Sequence, residues 1–445
     1  MNQVTLQQIL QAREDRVELQ RQFLELYRQP LVCFTMNIAG PVKISPLIRR
    51  GFQAGLEALE NMLPQKAVLA RQIGEEVTGC QALFSVAMEA EALKELCTAI
   101  EDTSPLGRLF DMDVIGTDGK KLERPNLRGC IVCGKPGRGC AAGRLHPVSQ
   151  LQAVTTQILT GYFMRADRQT VADMAVESLL DEANTTPKPG LVDRRNRGSH
   201  TDMDIHTFIA SAQALKPYFE ECVKIGQQTA AQMPDVTFSQ LRQAGLEAEK
   251  TMYRATSGVN THKGAIFTLG ILCGSIGRLW KAEQPFSHTK DILSQCAQIA
   301  QSALEDFTAC KENTAGQRMY LKMGIKGIRG EVAAGLPAVA DIALPQYRKG
   351  LARGFSPNDA AAITLVYLIS QVEDTNLYHR GGPEGAAFAK NAARRLLLEN
   401  PWPTPAQLES LDDAFITKNL SPGGCADLLA ATFFLHRITQ RSNNQ

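Results

Sequence analysis

The chain has 445 residues, 44% of them hydrophobic and 21% charged, so it is long enough for two or three domains, each with its own buried core. Its 48 basic residues nearly balance 46 acidic ones, for a formal net charge of +2. That balance excludes a chain-wide electrostatic grip on nucleic acid and leaves phosphate-bearing ligands to local patches. The opening text MNQVTLQQILQAREDR carries acids early and lacks a signal-peptide apolar core, and no apolar run reaches the length of a membrane span. Eleven cysteines without an export signal predict reduced thiols and a cytoplasmic protein.

Met1–Arg28 is polar with helical spacing. Leu31–Ile38 is a short apolar run ended by Gly40-Pro41 and reads as a buried strand followed by a loop. Phe52–Leu63 reads as a helix, Ala82–Val86 as a strand, Glu89–Ile100 as a helix and Leu109–Ile115 as a strand. Such alternation predicts an α/β or α+β domain over residues 1–165. From Thr170, read as a helix N-cap, helical periodicity takes over. Ile205–Phe219, Gly264–Trp280, Asp359–Val372, Ala386–Leu398 and Cys425–Ile438 each mark a helix, so residues 166–445 are predicted to form an all-α domain.

In Gly107-Arg108-Leu109-Phe110-Asp111-Met112-Asp113-Val114, the two aspartates stand two apart on a strand and project from one face. Neighbouring carboxylates repel unless a cation lies between them, and Mg²⁺ favours carboxylate and phosphate oxygens. The pair suits metal-assisted transfer of a nucleotidyl-type phosphate; an acidic outer strand face is the competing reading. Cys130, Cys133, Cys140 and His146 have the ligand types of a structural zinc site, against which stands a set of ordinary reduced thiols.

The C-terminal half holds four polar segments at the ends of apolar helices. The first runs from Glu182-Ala183-Asn184-Thr185 through Thr186-Pro187-Lys188-Pro189-Gly190-Leu191-Val192-Asp193, and continues over Gly198-Ser199-His200 to Asp202 and Asp204. The second is Asn260-Thr261-His262-Lys263-Gly264, the third Glu373-Asp374-Thr375-Asn376 with Arg380, and the fourth Ser421-Pro422-Gly423-Gly424-Cys425-Ala426-Asp427. Lysines and helix N-termini attract phosphate, and the aspartates offer oxygen ligands, although Asp202 and Asp204 also suit helix capping. Four such segments point to one shared polar pocket.

The text GRLFDMDV, with Gly40-Pro41-Val42-Lys43 and Thr78-Gly79, resembles the apo-citrate lyase phosphoribosyl-dephospho-CoA transferases, which are similar to nucleotidyltransferases. At Cys140–His146 the chain departs from that family's pattern by lacking two arginines. From Ala172 to Leu435 the four segments resemble the triphosphoribosyl-dephospho-CoA synthases, with Cys425 where serine is common. The resemblance implies two activities. One joins ATP to 3′-dephospho-CoA and expels adenine. The other passes the phosphoribosyl-dephospho-CoA group to a serine of the acyl-carrier subunit of citrate lyase and releases pyrophosphate. It implies Mg²⁺ on Asp111, Asp113, Asp202, Asp204 and Asp427. Phosphate or substrate contacts fall to Arg108, Lys188, Asn260, His262, Lys263 and Arg380, and catalytic roles to Asp111, Asp113, Asp193 and Asp374. No nucleic acid and no membrane is expected as a partner. The alternatives are a malonate decarboxylase client, a helical nucleotidyltransferase acting on tRNA, and a non-catalytic carrier scaffold.

Overall fold

Leu31–Met36 (β1) is bounded by strand breakers and carries Val32 and Phe34 on one face, Leu31 and Cys33 on the other. In the computed structural model, which describes residues 3–124, 126–135, 139–140, 143–305, 320–321 and 323–443, this strand sits inside a four-stranded sheet. Contacts divide the chain into two compact units, Met1–Ala166 and Asp167–Gln445.

The N-terminal unit runs α1 (Leu6–Tyr27), β1, α2 (Pro46–Met62), β2 (Val68–Glu76), β3 (Gly79–Val86), α3 (Ala90–Thr103) and β4 (Phe110–Ile115). The strand order is β2-β3-β1-β4 with every neighbour antiparallel, so the unit is α+β. Phe34 stacks on Phe52 of α2 and meets Phe110 edge-on, at centroid distances of 4.8 and 5.5 Å, so one sheet face forms the core. Leu19, Phe23 and Leu24 of α1 cover the other face at Leu31, Cys33 and Leu83. Asp111 pairs with Thr35 and Asp113 with Cys33, which puts both aspartates on the α1 face. β2 escapes the sequence reading because its exposed, polar text shows little of the alternation that marks a half-buried strand.

The remaining helices are α4 (Val148–Asn184), α5 (Ile205–Ala214), α6 (Lys216–Gln228), α7 (Pro234–Ala255), α8 (Lys263–Leu279), α9 (Thr289–Ala300), α10 (Gly327–Ala333), α11 (Leu344–Ala352), α12 (Pro357–Gln371), α13 (Thr375–Glu399), α14 (Pro405–Thr417) and α15 (Gly423–Asn443). α8 and α12 are buried along most of their length, as helices apolar on all sides must be. Thr170 lies inside α4 and caps nothing, because Ala166–Gln169 contains no helix breaker. The helix expected over Ile205–Phe219 is two: Leu215 closes α5 and Pro217 sits in the first turn of α6, where its missing N–H costs no bond. The polar segment at 373–380 closes α12, as expected, and it also opens α13, with Asp374 as the N-cap. No helix among the described residues is long and apolar enough to cross a membrane.

Candidate functional site

All four C-terminal segments line one cavity of ≈ 290 Å³. Glu182 enters it from the last turn of α4, Lys188 and His200 from the following loop, Asn260–Gly264 from the start of α8, Thr375–Arg380 from the start of α13, and Ser421–Asp427 from the start of α15. Three helix N-termini therefore open on the same space, each with backbone N–H groups beyond the reach of its own helix. Lys188, Lys263 and Arg380 add positive charge.

The loop that carries Lys188 is held by carboxylates. Asp193 accepts hydrogen bonds from the backbone N–H of Lys188 (2.9 Å), Arg195 (2.7 Å) and Asn196 (3.0 Å). Asp412, fully buried on α14, accepts from the backbone N–H of Gly190 at 2.8 Å and from Arg195 at 2.6 Å. Gly190 has φ +71°, and a Cβ there would fall 2.1 Å from the carbonyl oxygen of Leu420, so only glycine fits. The loop delivers Lys188, 1% exposed, to Glu182: its Nζ lies 2.6 Å from Oε1 and 2.7 Å from the backbone oxygen.

The predicted aspartates separate into groups. Asp427 lines the cavity, with Glu182 on another wall, and is recessed in protein. Burial first, then the charges of Glu182 and Asp374, holds its carboxyl well above the usual range. Asp374 is buried beside the cavity, its carboxylate taken by the backbone N–H groups of Asn376 and Cys425, both at 2.8 Å. Burial raises its pKa as well. Asp193 holds the loop and is not among the lining residues. Asp204 is the N-cap of α5 in a reciprocal bond pair with Thr207, and Asp202 is exposed, 4.0 Å from the His200 ring. Neither lines the cavity.

In the N-terminal unit, a cleft of ≈ 200 Å³ lies between α1 and the sheet. Asp111, Lys43, Thr78 and Gly79 line it, joined by Arg13 and Arg16 from α1. Asp111 is solvent-accessible yet recessed, and desolvation together with the Asp113 charge raises its pKa. Asp113 lies outside the cleft lining, paired with Lys121 at 2.6 Å. Arg108 also lies outside it and donates to the backbone oxygen of Gly129, while Arg128 donates to the backbone oxygens of Gly107 and of Phe110, the latter at 2.6 Å. Cys130, Cys133, Cys140 and His146 do converge, with their ligand atoms all within 4.8 Å of one another. Pro136–Arg138, in the loop between the second and third of them, and Ala141 and Ala142 lie outside the described residues.

Residues 4–162 match the family of apo-citrate lyase phosphoribosyl-dephospho-CoA transferases (CitX), and residues 168–445 match the family of ATP:dephospho-CoA triphosphoribosyl transferases (CitG). A relative from Haemophilus influenzae named Protein CitXG is 35% identical and aligns over 97% of this chain and 96% of its own. The chain belongs to the CitXG family. A second Protein CitXG, from Leuconostoc mesenteroides, is 30% identical over 98% of this chain and 97% of its own. A protein of Vibrio cholerae named a probable 2-(5''-triphosphoribosyl)-3'-dephosphocoenzyme-A synthase is 42% identical over 61% of this chain and 88% of its own.

In this CitXG-family chain, sequence reasoning missed Arg13 and Arg16, and it placed Glu182 and His200 in the first polar segment without giving either a role. Arg13 and Arg16 sit in a polar helix of ordinary composition, and only the packing of α1 on the sheet brings them to Asp111. His200 faces Arg380, whose guanidinium donates to Nδ1 at 3.1 Å, and its Nε2 bonds Ser421 at 2.9 Å. Because Nδ1 accepts, Nε2 carries the proton and donates to the serine oxygen. Burial, then the Arg380 charge, depresses the His200 pKa to about 4, and burial, then Lys188, depresses His262 to about 3. Both rings refuse protons that the unfolded chain accepts from its ordinary value of 6.5 downward. Their contribution to stability is therefore complete above that value and is lost progressively as pH falls toward 4. Thermal melts between neutral pH and that point should show the midpoint falling, with a shallower slope and a total fall smaller by about several degrees in a His200→Gln, His262→Asn variant. An unchanged slope would remove both rings from the acid response.

Proposed function

We propose that each unit carries one of two consecutive transfer reactions. The C-terminal unit joins ATP to 3′-dephospho-CoA with release of adenine. The N-terminal unit moves the resulting phosphoribosyl-dephospho-CoA group to a serine of the citrate lyase acyl-carrier subunit with release of pyrophosphate. The observation that carries the reading is the gathering of four distant motif segments round one cavity, in a chain that two family matches tile almost end to end. The citrate lyase named in the N-terminal match favours that client over malonate decarboxylase.

In the C-terminal site the triphosphate of ATP meets Lys263, Arg380 and the N–H groups that open α8, α13 and α15. Glu182 and Asp427 line the same space and offer the carboxylate oxygens that a hard divalent cation takes. Mg²⁺, when bound there, screens the triphosphate. The two carboxylates also face the ribose, whose C1 becomes cationic as adenine leaves and the 2′-hydroxyl of dephospho-CoA attacks. Lys188 positions Glu182, and neutral His200 positions Arg380.

In the N-terminal site, Arg13, Arg16 and Lys43 receive the triphosphoribosyl donor and Asp111 stands beside them to hold its metal, in the manner of a nucleotidyltransferase. A serine hydroxyl then attacks the α-phosphate and pyrophosphate departs.

The decisive experiment is mass spectrometry of apo carrier protein incubated with the full chain, ATP, Mg²⁺ and dephospho-CoA. A carrier mass increase equal to the prosthetic group, with free adenine, is expected; adenine without carrier modification would limit the chain to the first reaction. Gly264→Ala gives a sharper local check. A Cβ at Gly264 would sit 1.9 Å from Asp427 Oδ2, so the carboxylate must move. Adenine release should fall about tenfold or more with helicity retained.

A further inference from the structure

Cys130–Cys133 forms a turn shaped to hold sulfurs. The backbone N–H of Val132 points to the Cys130 sulfur at 3.5 Å, and that of Lys135 to the Cys133 sulfur, each two residues on from its thiol. Gly134, at φ +71°, closes the turn by donating to the Cys130 oxygen at 2.9 Å. Cys140 brings its sulfur to 3.5 Å from that of Cys133. His146 completes the group from the residues just ahead of α4. Its Nδ1 bonds the Gln150 side-chain oxygen at 3.3 Å, which fixes the N–H on that nitrogen, and Nε2 is buried without a hydrogen-bond partner.

These donors match a metal of stated type. Zinc bonds sulfur at about 2.3 Å and imidazole nitrogen at about 2.0 Å, which separates tetrahedral ligands by about 3.8 Å. The four ligand atoms here lie within 4.8 Å of one another. We infer that Cys130, Cys133, Cys140 and His146 bind one zinc ion in a structural tetrahedral site that braces the strand bearing Asp111. On binding, the three thiols release their protons to solvent and the imidazole stays neutral. The brace runs through the residues just before Cys130. Arg128 donates to the oxygens of Gly107 and Phe110, and Arg108 returns a bond to the oxygen of Gly129, so the zinc turn is laced to the chain immediately ahead of Asp111.

The test begins with metal analysis of the untagged full-length chain purified without chelator. About one zinc per chain is expected, together with the absorption of tetrahedral cobalt–thiolate when Co²⁺ replaces it. A chain without zinc that also gives no such spectrum overturns the site, as does a mass loss of two hydrogens marking a Cys133–Cys140 disulfide in the freshly isolated protein. A Cys133→Ser, His146→Ala variant should lose the zinc; the same zinc content in that variant would also overturn it. Carrier modification by the variant should fall about tenfold or more, with adenine release unchanged. Unchanged carrier modification would overturn the brace. Zinc content is read without any activity, so this proposal and the two-reaction reading fail separately.

Discussion

Replacing Asp111 and Asp113 together by alanine is expected to lower carrier modification about 10³-fold while adenine release continues at the parent rate. Asp111 is the carboxylate of the pair that reaches the cleft beside Arg13, Arg16 and Lys43, and it is the only acid among the residues lining that cleft. Removing it takes away the acid proposed to hold metal against the donor's triphosphate. Asp113 shares the face and contributes to the charge that raises Asp111. The fold should survive. The Asp113–Lys121 pair is partly exposed, at 27% and 53%, so its loss costs at most about 1 kcal/mol. Relief of the crowded Asp111 carboxylate works in the opposite direction. Two assays on one sample, adenine by chromatography and carrier mass by spectrometry, check the result. Loss of both activities in a folded variant would sink the two-site reading.

Asp427→Asn is the counterpart in the C-terminal unit, with adenine release falling about 10³-fold and carrier modification from supplied intermediate intact. Its stability should move the other way. A carboxyl whose folded pKa is raised favours the folded state at low pH, and that benefit disappears as pH rises above the unfolded value. At neutral pH and without metal, Asp427 is therefore a destabilising group, set against Glu182 and Asp374 in a buried place. Asparagine keeps the shape and removes the charge. In EDTA at pH 7.5 the variant should melt at or above the parent temperature, the mark of a residue kept for chemistry at the expense of stability. A clearly lower melting temperature would assign Asp427 to the architecture of α15 instead.

The apolar text of β1, β3 and β4 declared those strands, because each packs its side chains into a core and the sequence must show it. β2, exposed along most of its length, declares nothing. In the helical unit the long polar segments between apolar helices announced a pocket, and Lys188, Asn260, His262, Lys263, Arg380 and Asp427 all line it. The roles of single aspartates were not legible. Asp193, Asp204 and Asp427 look alike as text, but one ties down a loop, one caps α5 and one faces the cavity. Which oxygen meets which N–H depends on tertiary contacts such as Gly190 with Asp412, 222 positions apart. Arg13 and Arg16 were hidden for the same reason, since their neighbours in space come from the sheet.

A Cβ on Gly226 would fall 2.1 Å from the Gly274 oxygen, and one on Gly277 would fall 2.2 Å from the Val223 oxygen, so α6 and α8 meet main chain to main chain. Such a seam has no side chains that can repack, and sliding one helix past the other would drive atoms into each other. The end of α8 remote from the cavity is thereby fixed against α6. Gly190 seats the 185–204 loop on the Leu420 oxygen in the same way, so this wall of the cavity is set before a nucleotide arrives, and amide exchange in α6 and α8 should stay unchanged when nucleotide is added.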